Sequence, residues 1–183
     1  VLVVGHLYWG YKTDPSRFKP DSVAVKAEKT KAEPTAGKKR AVNKTDQPET
    51  SLVAYTKNWP KKARADFENA LSKKRAYKIA IVGSDAMGAN THGWGPQLKQ
   101  ALNDTYGSHV TVSLFPYHLN SDEFIREGKY KDVAHFKPDL ILFEPFILIN
   151  NGAVAMDNQL DDIKTAAAAW DDAVLMIQPS YPL

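Results

Sequence analysis

The chain contains no cysteine among its 183 residues. Disulfide frameworks, thiolate metal sites and cysteine nucleophiles are therefore excluded. The length allows one domain of ordinary size together with an accessory segment. The apolar run at the N-terminus, residues 1–9, is much shorter than the roughly 20 residues that a helix needs to span a bilayer.

Polar sequence rich in Lys and Arg follows this N-terminal run at once. We interpret residues 1–11 as the remnant of a membrane anchor or signal segment, because Tyr8 and Trp9 suit a membrane interface. An ordinary buried strand is the alternative. The first interpretation predicts an extracytoplasmic protein, secreted or tethered by its N-terminus at the cell surface.

Large apolar residues are nearly absent between Phe18 and residue 51. Residues 11–50 instead contain ten Lys/Arg and six Asp/Glu. Such a segment cannot bury enough apolar surface to offset the entropy of ordering. We therefore predict a disordered basic linker over residues 12–51. No aromatic residue interleaves its basic cluster, so nucleic acid is not an expected partner.

Residues 52–183 alternate between apolar runs and helical patterns, and we predict one domain there. The predicted helices begin at Pro60 and Ser121 or span Gly95 to Tyr106 and Asp157 to Trp170, and a short turn is predicted over Asp132 to Phe136. The predicted strands are Lys78 to Val82, His109 to Phe115, Leu140 to Phe143 and Ala173 to Ile177. The alternation favours an α/β fold with a parallel sheet in the order 2-1-3-4, covered on both faces. We expect a last strand and helix to be missing at the C-terminal end.

The first predicted strand runs directly into a Gly-Ser turn at Gly83 and Ser84. This places a serine hydroxyl at the carboxyl edge of a parallel sheet, where open α/β folds build their sites, and indicates an esterase-type nucleophile. Gly83 and Gly88 also have the spacing of a phosphate loop, but Ala89-Asn90 replaces its Lys-Ser/Thr, and the dinucleotide fingerprint is absent. A turn that the serine merely caps is the structural alternative.

A second polar turn follows the third strand. Residues 140–152 read as a buried strand that runs into an Asn-Asn-Gly turn at Asn150 and Asn151. Strands one and three are neighbours in the predicted order, so their carboxyl ends should place Ser84 and these carboxamides at one edge. A carboxamide donor beside a serine suits a tetrahedral oxyanion. Asn-Gly is also an ordinary turn pair.

On these motifs the chain resembles the SGNH/GDSL hydrolase family, in its exported, membrane-tethered Gram-positive form. Residues 83–88 match the block G-D-S-L-x-x-G with Ser84 at the nucleophile position, while Gly83 stands where the family usually has Asp. Residues 94–98 look like the Trp-Pro-x-x-Leu helix entry. Asn150 and Asn151 correspond loosely to the asparagine block. The glycine block has no glycine here, and the D-x-x-H block is absent.

The resemblance implies a flavodoxin-like three-layer sandwich and a serine esterase or acetylesterase acting on small or carbohydrate esters outside the membrane. Ser84 would attack the ester carbonyl, and Asn150, Asn151 or the backbone N–H of Asn120 or Ser121 would hold the oxyanion. The expected base is a histidine beyond Leu183, oriented by its Asp. No cofactor or metal is implied.

Three further residues are accessory candidates. His92 and His118 lie near the expected mouth of the site, and Glu144 is a carboxylate within an apolar segment that must be paired or have a raised pKa. Two other functions stay open. One is a non-catalytic cell-surface carbohydrate-binding or interaction domain, and the other is a flavodoxin-like small-molecule or nucleotide binder.

Overall fold

A computed structural model describes residues 49–90 and 93–178 of the protein. The predicted anchor remnant at 1–11, residues 12–48 of the predicted linker and His92 lie outside these described residues. The first described helix begins at Glu49, so the last three residues of the predicted linker are helical. Within 49–90 and 93–178, no helix has the length and apolar character needed to cross a membrane.

The described chain is an α/β structure built on a sheet of four strands that all run parallel. The strand order is β2-β1-β3-β4, as predicted, which puts β1 between β2 and β3. The strands are β1 (Tyr77–Ser84), β2 (Val110–Tyr117), β3 (Leu140–Phe143) and β4 (Val174–Ile177). Parallel strands bring their carboxyl ends to one edge, so residues following β1, β2 and β3 are neighbours there.

Two of the described helices precede β1, and the others connect successive strands. The helices are α1 (Glu49–Tyr55), α2 (Lys61–Ser72), α3 (Trp94–Tyr106), α4 (Ser121–Arg126), α5 (Lys129–Phe136), α6 (Ile147–Asn150) and α7 (Met156–Ala169). Short 3₁₀ turns cover Asp85–Met87 and Gly107–His109. Pro60 lies immediately before α2, as its pattern predicts, and the capping box of Asn120 and Glu123 begins α4.

Apolar side chains form two core clusters, and successive residues of β1 belong alternately to one cluster and to the other. Ile79 and Ile81 pack in one cluster with the buried face of α2, and Ala80 and Val82 pack in the other with Phe124 of α4. Successive strand residues point to opposite faces, so helices cover both faces of the sheet. The predicted face of α2 is confirmed, since Ala63, Phe67, Ala70 and Leu71 are all buried.

The prediction that the strand beginning at residue 140 continues towards the Asn turn is wrong beyond Phe143. The strand ends at Phe143, and α6 replaces its continuation. Pro145 has no backbone N–H to donate to a ladder, and Phe146 adopts a left-handed conformation with φ 62°. Glu144 consequently lies just past the strand, at the edge of the sheet.

Candidate functional site

Ser84 is the last residue of β1 and the first residue of a tight turn. It is the N-cap of the 3₁₀ turn Asp85–Met87, and its Oγ accepts a hydrogen bond from the Ala86 N–H at 3.2 Å. Gly88 ends the turn with φ 64°, a left-handed conformation that glycine adopts without strain. The predicted placement of Ser84, at a strand-to-helix turn on the carboxyl edge of the sheet, is confirmed.

The Ser84 side chain is fully buried and pairs with Glu144. Oε2 of Glu144 accepts the Ser84 hydroxyl at 2.6 Å and the Ser84 backbone N–H at 2.8 Å. Glu144 itself is only 2% exposed. Within the described residues, no other side chain is hydrogen-bonded to Ser84. A distance of 2.6 Å is typical of a charge-assisted bond from a hydroxyl to a carboxylate.

Gly83 allows this pairing by its lack of a side chain. A Cβ at position 83 would lie 2.8 Å from Cβ of Glu144 and 3.0 Å from its Oε2. Gly83 is not among the glycines of positive φ, so its backbone is one that other residues adopt. The glycine is therefore required by the close approach of Glu144, and not by the conformation of the turn.

A separate polar cluster joins Ser121 and Asn150, which are buried, with Asp162, which is half-buried. Oδ1 of Asn150 accepts the Ser121 N–H at 2.8 Å, and Nδ2 of Asn150 donates to the Ser121 Oγ at 3.1 Å. The Ser121 hydroxyl donates to Oδ2 of Asp162 at 2.6 Å. Since these residues lie on α4, α6 and α7, the cluster ties three helices together.

The candidate oxyanion donors differ in their surroundings. Asn150 is fully buried in this cluster, whereas Asn151 is exposed. The Ser121 N–H is held by Asn150, and the Asn120 N–H donates to Oε2 of Glu123 at 3.0 Å. No hydrogen bond joins Ser84 to Asn150 or Ser121 in the described structure. In this conformation both candidate backbone amides already have protein acceptors.

His118 directly follows β2 and contacts the residue after Ser84. Its Nδ1 is hydrogen-bonded to Oδ2 of Asp85, and both side chains are exposed. The hydrogen bond to Asp85, and then the attraction of its charge, raise the pKa of His118 above its ordinary value. The structure therefore places an oriented histidine at the edge where Ser84 lies, although it forms no hydrogen bond with Ser84.

Replacing Asp85 by Asn is expected to lower the pKa of His118, measured by NMR titration of the imidazole. Glu123→Gln is the matched control and should lower it less, because Glu123 contributes the smallest of the effects that raise it. Because the pKa of His118 is raised in the folded state, its protonated form stabilises the fold, and this stabilisation is fully present below about pH 6.5. It is lost as the pH rises through the pKa that His118 has in the folded state. An equal response to both substitutions would contradict the Asp85–His118 pair.

Sequence reasoning missed Asp85 and Asp162 as partners in the site. Asp85 faces His118 because Ser84 and Tyr117 are partners in the register of β1 and β2, so the residues that follow them meet. That register could have been inferred from the two strand ends. The pairing of Asp162 with Ser121 joins residues 41 positions apart, and no local pattern signals it.

The described residues hold no group of three or more His, Asp or Glu side chains arranged to bind a metal ion. Comparisons with protein-family models, with curated proteins and with solved structures find no match for the chain. The resemblance to SGNH/GDSL hydrolases accordingly stays a prediction from the motifs of the sequence.

Proposed function

We propose that the protein is a serine ester hydrolase of the SGNH type, with Ser84 as its nucleophile. The observation that carries this proposal is the environment of the Ser84 Oγ at the carboxyl end of the central strand. Its hydroxyl donates to the Glu144 carboxylate at 2.6 Å, and the Ala86 N–H donates to its oxygen at 3.2 Å. An acceptor for the proton and a donor for the developing alkoxide are what an activated serine requires.

The proposed reaction is acyl transfer to Ser84 followed by hydrolysis. Oxyanion donors would come from the carboxamides of Asn150 or Asn151, whose segment follows β3 beside β1. The amides of Asn120 and Ser121 can serve only after release from Glu123 and Asn150. Serine acyl transfer uses no cofactor or metal, and none is proposed.

The proposed substrates are small or carbohydrate esters outside the membrane. This part rests on the apolar N-terminal run and basic linker of the sequence, and on the resemblance of residues 83–88 to the first SGNH/GDSL block. The all-parallel sheet with helices on both faces supports the finer proposal of a flavodoxin-like three-layer sandwich of the SGNH type.

A second candidate is a non-catalytic carbohydrate-binding or interaction domain on the same fold. The observation that favours it is the complete burial of Ser84. An ester carbonyl can reach the Ser84 Oγ only if neighbouring groups move aside. A domain that keeps the turn for structural reasons alone would show this burial without needing such a movement.

Labelling with a fluorophosphonate and hydrolysis of aryl acetates separate these candidates. We expect the label to map to Ser84 by peptide mass spectrometry, and Ser84→Ala to lower turnover by at least about 100-fold, because it removes the nucleophile together with its proton transfer. Ser108→Ala, which changes an exposed serine, is the matched control.

Thermal melts of both variants check folding, since Ser84→Ala also removes the acceptor of the Ala86 N–H. Turnover that survives Ser84→Ala would refute Ser84 as the nucleophile, and with it the proposed serine hydrolase. Absence of labelling, together with binding of the intact chain to unmodified surface polysaccharide, would select the binding domain.

A further inference from the structure

Glu144 holds Ser84 in a way that exceeds what a turn requires. The turn is already capped by the bond from the Ala86 N–H to Oγ. Glu144 adds a buried carboxylate whose Oε2 accepts both the hydroxyl and the N–H of the same residue. Burying a carboxylate costs free energy unless hydrogen bonds compensate the loss of water. A turn that is already capped does not need this carboxylate, so we look for a function of Glu144.

Gly83 on the neighbouring strand β1 leaves space for the Glu144 carboxylate. Glu144 also donates its backbone N–H to the Val82 carbonyl at 2.8 Å, which fixes it against the end of β1. Position 83 is glycine, and any Cβ there would overlap Cβ and Oε2 of Glu144. The Glu144 carboxylate thus approaches Ser84 from the position just past β3, through the space that Gly83 leaves.

We propose that Glu144 is the proton acceptor of Ser84, so that this chain uses a serine–carboxylate pair where the resemblance implies a serine–histidine pair. The inference rests on the proposed hydrolase function. The distance of 2.6 Å lies within the range at which a general base takes a proton. The histidines of the described residues form no hydrogen bond with Ser84.

In the acylation step the Oγ–H bond of Ser84 breaks and its proton passes to Oε2 of Glu144. The Oγ bonds to the ester carbonyl carbon, and the π electron pair moves to the carbonyl oxygen. When this pair returns, the bond to the alcohol oxygen breaks, and the departing alkoxide takes the proton from Glu144. Water then repeats the sequence on the acyl-serine, which releases the acid and restores Ser84.

Glu144→Gln tests the proposal, because the amide keeps an oxygen that can accept from Ser84 but is not a base at neutral pH. We expect kcat for aryl acetates to fall by about 10²–10⁴-fold, the usual contribution of general-base catalysis, while KM changes little. Glu127→Gln, which removes an exposed carboxylate, is the control and should leave both constants unchanged.

Exchanging the two residues provides a rescue that a purely structural role would not produce. Gly83→Asp alone should be inactive and destabilised by overlap with Glu144. Glu144→Gly alone should be as slow as Glu144→Gln. The double variant Gly83→Asp/Glu144→Gly moves the carboxylate to position 83, next to the volume that Glu144 vacates. It should turn over at least tenfold faster than Glu144→Gly.

A thermal-stability cycle over Ser84→Ala, Glu144→Gln and the double variant gives a readout independent of activity. The double variant should lose less than the sum of the two single losses, because the residues act on one interaction. Additive losses, or a Glu144→Gln enzyme that turns over like the wild type while Ser84→Ala is inactive, would overturn this inference and leave the hydrolase in place. Turnover that survives Ser84→Ala would instead overturn Ser84 as the nucleophile, and this inference with it.

Discussion

Replacing Phe124 by alanine is expected to lower the free energy of unfolding by about 3–5 kcal/mol, the usual cost of removing a buried phenylalanine. Its side chain is 1% exposed and lies at the centre of the aromatic cluster on one face of the sheet. Ring centroids of Tyr117 and Phe146 lie 5.0 Å and 4.9 Å away, and those of Phe143 and Trp170 both lie at 6.4 Å. The truncation therefore leaves a cavity bordered by four rigid rings that cannot close around it.

Urea denaturation followed by circular dichroism measures this loss. Phe136→Ala is the matched control, because Phe136 is half-buried and, among the described residues, its ring contacts another aromatic ring only at Phe115, at 5.6 Å. We expect it to cost clearly less. Equal midpoints for the two variants would show that Phe124 is not the centre of this cluster.

Replacing Gly93 by alanine is expected to destabilise the protein by about 3 kcal/mol or more, at the upper end of the usual cost of overpacking. The new Cβ would lie 2.4 Å from the Met87 carbonyl oxygen and 2.5 Å from the Gly88 Cα. Both are backbone atoms, so no side-chain rotation can relieve the overlap. The turn that carries Ser84, or the start of α3, must move.

Gly128→Ala separates this steric effect from the general cost of replacing a glycine. Gly128 has a left-handed backbone with φ 69°, but a Cβ there would meet only the flexible Lys131 side chain, at 3.7 Å or more. Its expected cost is about 1–2 kcal/mol, from backbone strain alone. A Gly93→Ala midpoint no lower than that of Gly128→Ala would contradict the close approach of Gly93 to the turn.

The regular elements and their order were predictable from local sequence patterns. The helical spacing of apolar residues after Pro60 predicted the buried face of α2, and the continuous apolar runs predicted buried parallel strands. The Gly-Ser turn at the end of β1 predicted where Ser84 lies. Each of these predictions depends on residues that are close together in the chain, because their spacing indicates which face of the element is buried.

The end of β3 was only partly predictable. Residues 140–149 are apolar throughout, apart from Glu144, and apolar composition alone does not separate strand from helix. Pro145 is the local signal that the ladder stops, and the left-handed backbone of Phe146 then redirects the chain into α6. As a result Ile147 and Leu148 are exposed, not buried in a strand.

By itself the sequence determined the alternation of strands and helices, the parallel sheet and the serine at its carboxyl edge, because hydrophobic periodicity and turn chemistry are local properties. Only the tertiary structure decided what surrounds that serine. Glu144 reaches Ser84 across 60 residues, and Asn150 reaches Ser121 across 29. Such contacts depend on the register of neighbouring strands and on space left by residues such as Gly83. Neither the register nor this space produces a periodic pattern in the sequence, because hydrogen bonds between distant residues are specified by packing and not by spacing.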